Sequence, residues 1–274
     1  MNQPLPVAYK NRYPFALSCP SFIFPAGYSE NVRRLGSCVD EIELLFFESR
    51  PDSLPSPVEI RELKTLSRDL DLTFNLHLPT DVSLAAAGRK EREQALEGML
   101  RALDRARELA PTAMTLHLPG PERADDAKTL PAWQERVEQS AARLLDKSGL
   151  TAACFALENL DYPFDWLDDL LDRFDFSVCM DIGHLLFHQQ DCGAFFRRYG
   201  RRITVIHAHG VVPGRDHLAL DRLDSSQRRQ LGSIISGFRG SLSLEVFNRQ
   251  DLAASLDCLA GIWDNIGHET SARK

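Results

Sequence analysis

The sequence predicts an α/β fold, a single (β/α)8 TIM barrel with a metal site at the C-terminal ends of its strands. Three observations predict it. Strand-like and helix-like patterns alternate along the chain, as in βαβ units. The strand-like segments are continuous apolar runs, which suits strands covered on both faces. Finally, the runs finish on a histidine or an acid: LTFNLHLP, TAMTLHLP, ACFALEN, FSVCMDIGH, ITVIHAHG and SLSLEVF. In a parallel barrel those strand ends open into one mouth.

Taken in order, the first strands are expected at 15–19 and 39–46. Helical spacing over 56–69 leads into a third strand at 72–78. Between 89 and 109, Ala95, Leu96, Met99, Leu100, Leu103, Ala106 and Leu109 form one broad apolar stripe with charges opposite. Pro111 then ends that helix and delivers the chain to a fourth strand at 112–118. A helix at 130–147 precedes strands at 153–158, 176–182 and 203–208, and a helix at 222–237 leads to the eighth strand at 241–246. Eight strands with helices between them suit the roughly 250 residues of this architecture. No G-x-G-x-x-G follows a strand, which argues against an open dinucleotide-binding sheet. Without a linker or low-complexity tract, residues 1–274 are expected to form one domain.

The composition, 43% hydrophobic and 26% charged, is that of an ordinary globular protein. The balance of 32 basic and 39 acidic residues gives 32 − 39 = −7, which disfavours a nucleic-acid partner. No apolar stretch approaches the roughly 20 residues of a membrane span. The start, MNQPLPVAYKNRYPF, lacks the apolar core of a signal peptide, so the cytoplasm is the expected location. Of six cysteines, Cys19, Cys154 and Cys179 lie in strand-like runs and are expected in the core. None forms a C-x-x-C pair, which weighs against a thiolate zinc site.

His77 and His117 occupy equivalent places, each followed by a leucine and a proline, so their imidazoles would be neighbours in the mouth. Glu158 and Glu245 end apolar runs, where an ionised carboxylate is costly unless paired or metal-bound. Asp181 and His184 stand three residues apart across Gly183, a spacing that can aim both at one metal or at two adjacent ones. His207 is expected as a ligand. His209 alternates with it and could be a ligand, a supporting group or a substrate contact. Asp216 and His217 follow in a glycine-containing loop suited to outer ligands or a lid. Glu43, Ser21 and Phe22 are expected to line the substrate pocket. Imidazole and carboxylate together suit zinc, manganese or iron, with two or three divalent ions expected.

The ordered set His, His, Glu, Asp-x-x-His, His, His, Glu resembles that of the endonuclease IV and xylose-isomerase-like barrels along nearly the whole chain. The resemblance implies one metal on His77, His117 and Glu158. It implies a second on Glu158, Asp181, His207 and Glu245, and a third involving His184 and His217. One departure stands out: the family uses Asp-x-His at the third site, whereas here Asp216 abuts His217 and Arg215 takes the acidic place. The segments SCPSFIFP, VDEIELLFFES, NLHLPTDVSL and TLHLPG are similar to those of cobamide-remodelling phosphodiesterases. That similarity implies hydrolysis of the nucleotide-loop phosphodiester of a cobamide, the small-molecule substrate, with Glu158 and Glu245 as catalytic carboxylates. A sugar isomerase or epimerase with one divalent metal is the alternative, and an apurinic-site endonuclease a further one.

Overall fold

The computed structural model describes residues 8–121 and 129–272. Residues 1–7, which carry part of the targeting reading above, lie outside them. Eight strands close into a parallel barrel: β1 (Ala16–Pro20), β2 (Glu41–Leu45), β3 (Thr73–His77), β4 (Met114–Leu116), β5 (Phe155–Glu158), β6 (Ser177–Asp181), β7 (Ile203–Ala208) and β10 (Ser241–Leu244). The order round the barrel follows the chain, with β10 pairing to both β7 and β1. This is the expected (β/α)8 barrel.

Helices fill the outer ring: α1 (Tyr28–Leu35), α2 (Pro57–Asp69), α3 (Arg89–Ala106), α4 (Thr129–Ser148), α5 (Asp168–Phe174), α6 (Ile182–Phe187), α7 (Cys192–Tyr199), α8 (Ser225–Ser236) and α9 (Arg249–Ala272). Their ends follow local chemistry. Ser56 caps α2 ahead of Pro57, and Asp224 with Gln227 forms a capping box that starts α8 at Ser225 rather than 222. α3 ends at Ala106, and the stripe continues to Leu109 as a tighter turn. Cys154 lies in a similar turn before β5 and is only half-buried, because the strand starts at Phe155. An antiparallel hairpin of β8 (Gly210–Val212) and β9 (Arg215–Leu218) projects beyond β7 and was not expected. No helix among the described residues is long and apolar enough to cross a membrane.

Outward-facing strand residues pack against the helices in one large core that includes Leu17, Ile42, Leu76, Leu157, Met180 and Ile206. The inward-facing residues below the mouth divide by side. Towards β4–β7 they are mainly apolar, with Ala113, Ala156, Cys179 and Val205 packed together and Thr115 and Ser177 beside them in register with Ala156. Towards β10, β1, β2 and β3 they are polar: Ser18, Glu41, Glu43, Asn75, Ser241 and Ser243, all buried. Glu41 accepts from Asn75 Nδ2 at 2.8 Å, Thr73 Oγ1 at 3.1 Å, Thr112 Oγ1 at 2.5 Å and the Ser241 hydroxyl. Burial still pushes its carboxyl above the usual range against the pull of those donors.

Candidate metal centre

Side chains tie down the strand exits of β1, β4, β5 and β6. Trp133 donates to Pro119 O at 2.9 Å and Tyr162 to Leu118 O at 2.7 Å, which fixes the chain just after His117. Asn159 accepts from Asp181 N at 2.8 Å and donates to Asp181 O at 2.9 Å, locking the β6 exit to the β5 exit. Asn31, fully buried, accepts from Ile23 N and Phe24 N and so pins the loop after β1. Buried amides satisfied in this way hold backbone that sheet pairing does not reach. Sequence reasoning missed all three supports, although an asparagine next to a strand-end glutamate was a usable signal at Asn159.

Glu158 sits at the middle of the mouth. His117 Nε2 donates to its Oε2 at 2.9 Å, His77 Nε2 lies 3.5 Å from the same oxygen, and His184 Nδ1 lies 3.3 Å from Oε1. His207 Nδ1 faces Glu245 Oε2 at 3.2 Å, Glu158 Oε2 at 3.6 Å and Asp181 Oδ2 at 3.9 Å. His209 Nε2 faces Asp181 Oδ1 at 3.2 Å, and His217 Nε2 faces Glu245 Oε2 at 3.4 Å. Ligand atoms on a cation about 2.0–2.2 Å away sit about 3–3.5 Å from each other, and most of these separations fall in or near that range.

Three overlapping groups bring their ligand atoms within 4.8 Å of one another: His77, His117 and Glu158; Glu158, Asp181, His207 and Glu245; and Asp181, His184, His209 and His217. A further set of that kind joins Glu158, Cys179 and His207, one layer deeper. Among the described residues, the buried atoms Asp181 Oδ2, His207 Nδ1, His209 Nε2 and Glu245 Oε2 have no hydrogen-bond partner. Desolvated groups in that state are costly unless something charged satisfies them. Four such atoms converging from three strand exits, those of β6, β7 and β10, fit bound divalent cations.

The electrostatics agree. Burial alone would raise the Glu158 carboxyl, but His117 and His207 hold it well below the carboxylate range. Burial likewise opposes protonation of His184, yet Asp181 and Glu158 push it to about 10. His217 is pushed to about 9 by Glu245 and Asp216 against the same opposition.

Three expected roles change place, those of Glu43, Ser21 and Asp216. Glu43, expected at the substrate, is fully buried beneath the mouth, bonded to His207 and Ser243. Ser21 is buried too, its hydroxyl accepting from Leu45 N at 3.0 Å, so it supports the β1 and β2 exits. His209, left open between ligand, supporting group and substrate contact, joins the third group, whereas Asp216 stays outside all three and instead lies 3.2 Å from His217 Nδ1. His217 has a left-handed backbone (φ 50°) that turns its ring into the mouth, and Asp216 meets that ring from its Nδ1 side. Phe22 is 60% exposed, and Phe247 stacks on His217 with ring centres 5.4 Å apart, so aromatic surface flanks the mouth.

A closed parallel barrel with acids and imidazoles gathered at its strand exits defines a class of divalent-metal enzymes. The chain belongs to the xylose isomerase-like TIM barrel family, whose sequence pattern matches residues 30–262. Among solved structures it resembles a D-tagatose 3-epimerase-like protein (17% identity, TM-score 0.76, 93% of this chain and 100% of that one). It also resembles the D-psicose 3-epimerase of Clostridium cellulolyticum H10 solved with D-tagatose (17%, TM-score 0.68, 90% and 99%). A third is the IOLI protein with a bound zinc atom (12%, TM-score 0.68, 92% and 98%). No curated protein matches the chain. Identities this low show the fold.

Proposed function

We propose that the protein is a metal-dependent phosphodiesterase whose substrate is a cobamide, cleaved at its nucleotide-loop phosphodiester. One observation carries the hydrolase reading: the mouth offers three overlapping ligand groups, more than a single-metal isomerase uses. Bound on these groups, divalent cations would supply a Lewis acid for the phosphoryl oxygens and lower the pKa of a nearby water. Glu158 is engaged by imidazoles on both oxygens and serves to hold the centre together. Glu245, touched by His207 and His217, is the better placed of the two catalytic carboxylates to accept a proton. His217 beside it can pass that proton outward, since it lies at the edge of the mouth. The cobamide substrate rests on the similarity of the segments around Cys19, Glu43, His77 and His117. Six free cysteines accord with a reducing compartment, the cytoplasm.

The second reading is a sugar epimerase. It draws support from the epimerase neighbours and from Glu158, Asp181, His207 and Glu245, which form a one-cation set that includes the two glutamates Glu158 and Glu245. Metal analysis with product analysis separates the two. Two or three cations per chain and release of a cobinamide-type corrinoid support the phosphodiesterase. One cation, an untouched cobamide and epimerisation of a ketose would replace it with the second reading.

A further inference from the structure

Glu43 lies below the three ligand groups and belongs to none of them. Its carboxylate has two partners and no solvent. Oε2 accepts from Ser243 Oγ at 2.6 Å, and Oε1 lies 3.0 Å from His207 Nε2. Ser243 is the register partner of His207 on the neighbouring strand, so β10 and β7 present the two donors side by side. Glu43 reaches both from β2, on the other side of β1. An ionised carboxylate is an acceptor only, so the proton on this edge of the imidazole must sit on Nε2. Nδ1 is then the nitrogen with a free lone pair, and it is the one that faces Glu245, Glu158 and Asp181 without a hydrogen bond.

We propose that Glu43 is a positioning residue that holds His207 in the Nε2–H tautomer, so that Nδ1 is kept for a cation. The proposal rests on the metal reading above, although not on which substrate is cleaved. Without this acceptor, a neutral His207 would place its proton on Nδ1 and donate it to Glu245. The pairing of those two groups would consume one ligand from each. His77 meets the same need with a backbone carbonyl: its Nδ1 lies 3.0 Å from Leu78 O, which leaves Nε2 towards Glu158. His207 has spent its strand neighbours on sheet pairing, and a side chain from across the barrel does the work instead.

The test uses the full chain, metal-free, with 15N-labelled histidine. The pH is set high enough for the His207 imidazole to be neutral, since, against burial, the surrounding carboxylates raise its pKa. Long-range 15N–1H correlation spectra report the tautomer, and cobalt(II) titration followed by d–d absorption reports each group's affinity. Glu43→Gln still offers a carbonyl to Nε2–H and should keep both tautomer and affinity within a few-fold. Glu43→Leu offers none. It should lose the Nε2–H signature and weaken the Glu158/Asp181/His207/Glu245 group by roughly 10–100-fold. The Asp181/His184/His209/His217 group should still fill, which shows that the variant is folded. Ser243→Ala frees one carboxylate oxygen and should produce a smaller loss in the same direction. A folded Glu43→Leu chain with an unchanged tautomer and wild-type cobalt affinity would overturn the proposal. A wild-type chain that takes up no cobalt would instead overturn the metal reading, and the metal-free spectra keep the two failures apart.

Discussion

Glu158 meets four imidazoles with two oxygens, those of His77, His117, His184 and His207. Glu158→Gln should therefore lose at least one bound cation and slow hydrolysis by about 10³-fold. Metal content by mass spectrometry and single-turnover rates check both, and a fully loaded, active variant would contradict the role. Gly183 matters for a different reason. A Cβ there would sit 2.1 Å from the His209 ring, and the ring's far side is closed by His217 at 4.2 Å. Gly183→Ala should displace His209 and empty the third group while every ligand remains in the sequence. Calorimetric titration of cations would show one class of site missing. The histidines also set a pH response. Folded values of about 10 for His184 and about 9 for His217 lie above the ordinary 6.5. Their stabilisation of the metal-free chain is complete below about 6.5 and is lost as pH rises through 9 and 10. The metal-free melting temperature should fall over that window. Cation binding at pH 7 should release protons, measurable as a buffer-dependent binding enthalpy.

At the level of elements, the eight barrel strands were legible because strands covered on both faces leave unbroken apolar runs, each stopped by a polar residue. The β8–β9 hairpin was not, because three and four residues are too few for a periodic signal. Only Pro213-Gly214 marks it as a turn. That omission is why Asp216 was expected as an outer ligand and His209 stayed open between three roles. His209 extends the inward parity of His207 past the end of β7, whereas Asp216 meets the Nδ1 side of His217 outside the ligand groups. Gly214 is the hairpin's weak point. Its φ is +75°, and nothing lies within 4 Å of an added Cβ, so substitution there strains backbone alone. Gly214→Val should cost roughly 1–2 kcal/mol. It should weaken cation binding to the His184, His209 and His217 group and spare His77 and His117. Equal weakening of both groups would show that the hairpin is not an independent support.

For the molecule as a whole, the acids that converge on the mouth repel one another until cations bind. Loading should therefore raise stability by about 2.7 kcal/mol at a hundredfold excess over Kd. In a chain of this size that is roughly 5–10 °C in melting temperature, reversed by chelation and restored by zinc or manganese. The net charge of −7 sets a second expectation. Duplex DNA should not bind at physiological salt, and saturable binding there would revive the endonuclease alternative.

The interior of the barrel is split across its diameter, and the split makes the fold unusually separable. Ala113, Ala156 and Val205 pack together as a small apolar cluster that makes no contact with the ligand groups by hydrogen bond, so volume-conserving exchanges there should change melting temperature and little else. Opposite them, Ser243 and Glu43 lead by hydrogen bonds to His207. Substitutions on that side should alter activity at constant stability. A saturation scan would thus draw a line through the barrel, with one half tolerant of drift and the other held in place by the chemistry above it.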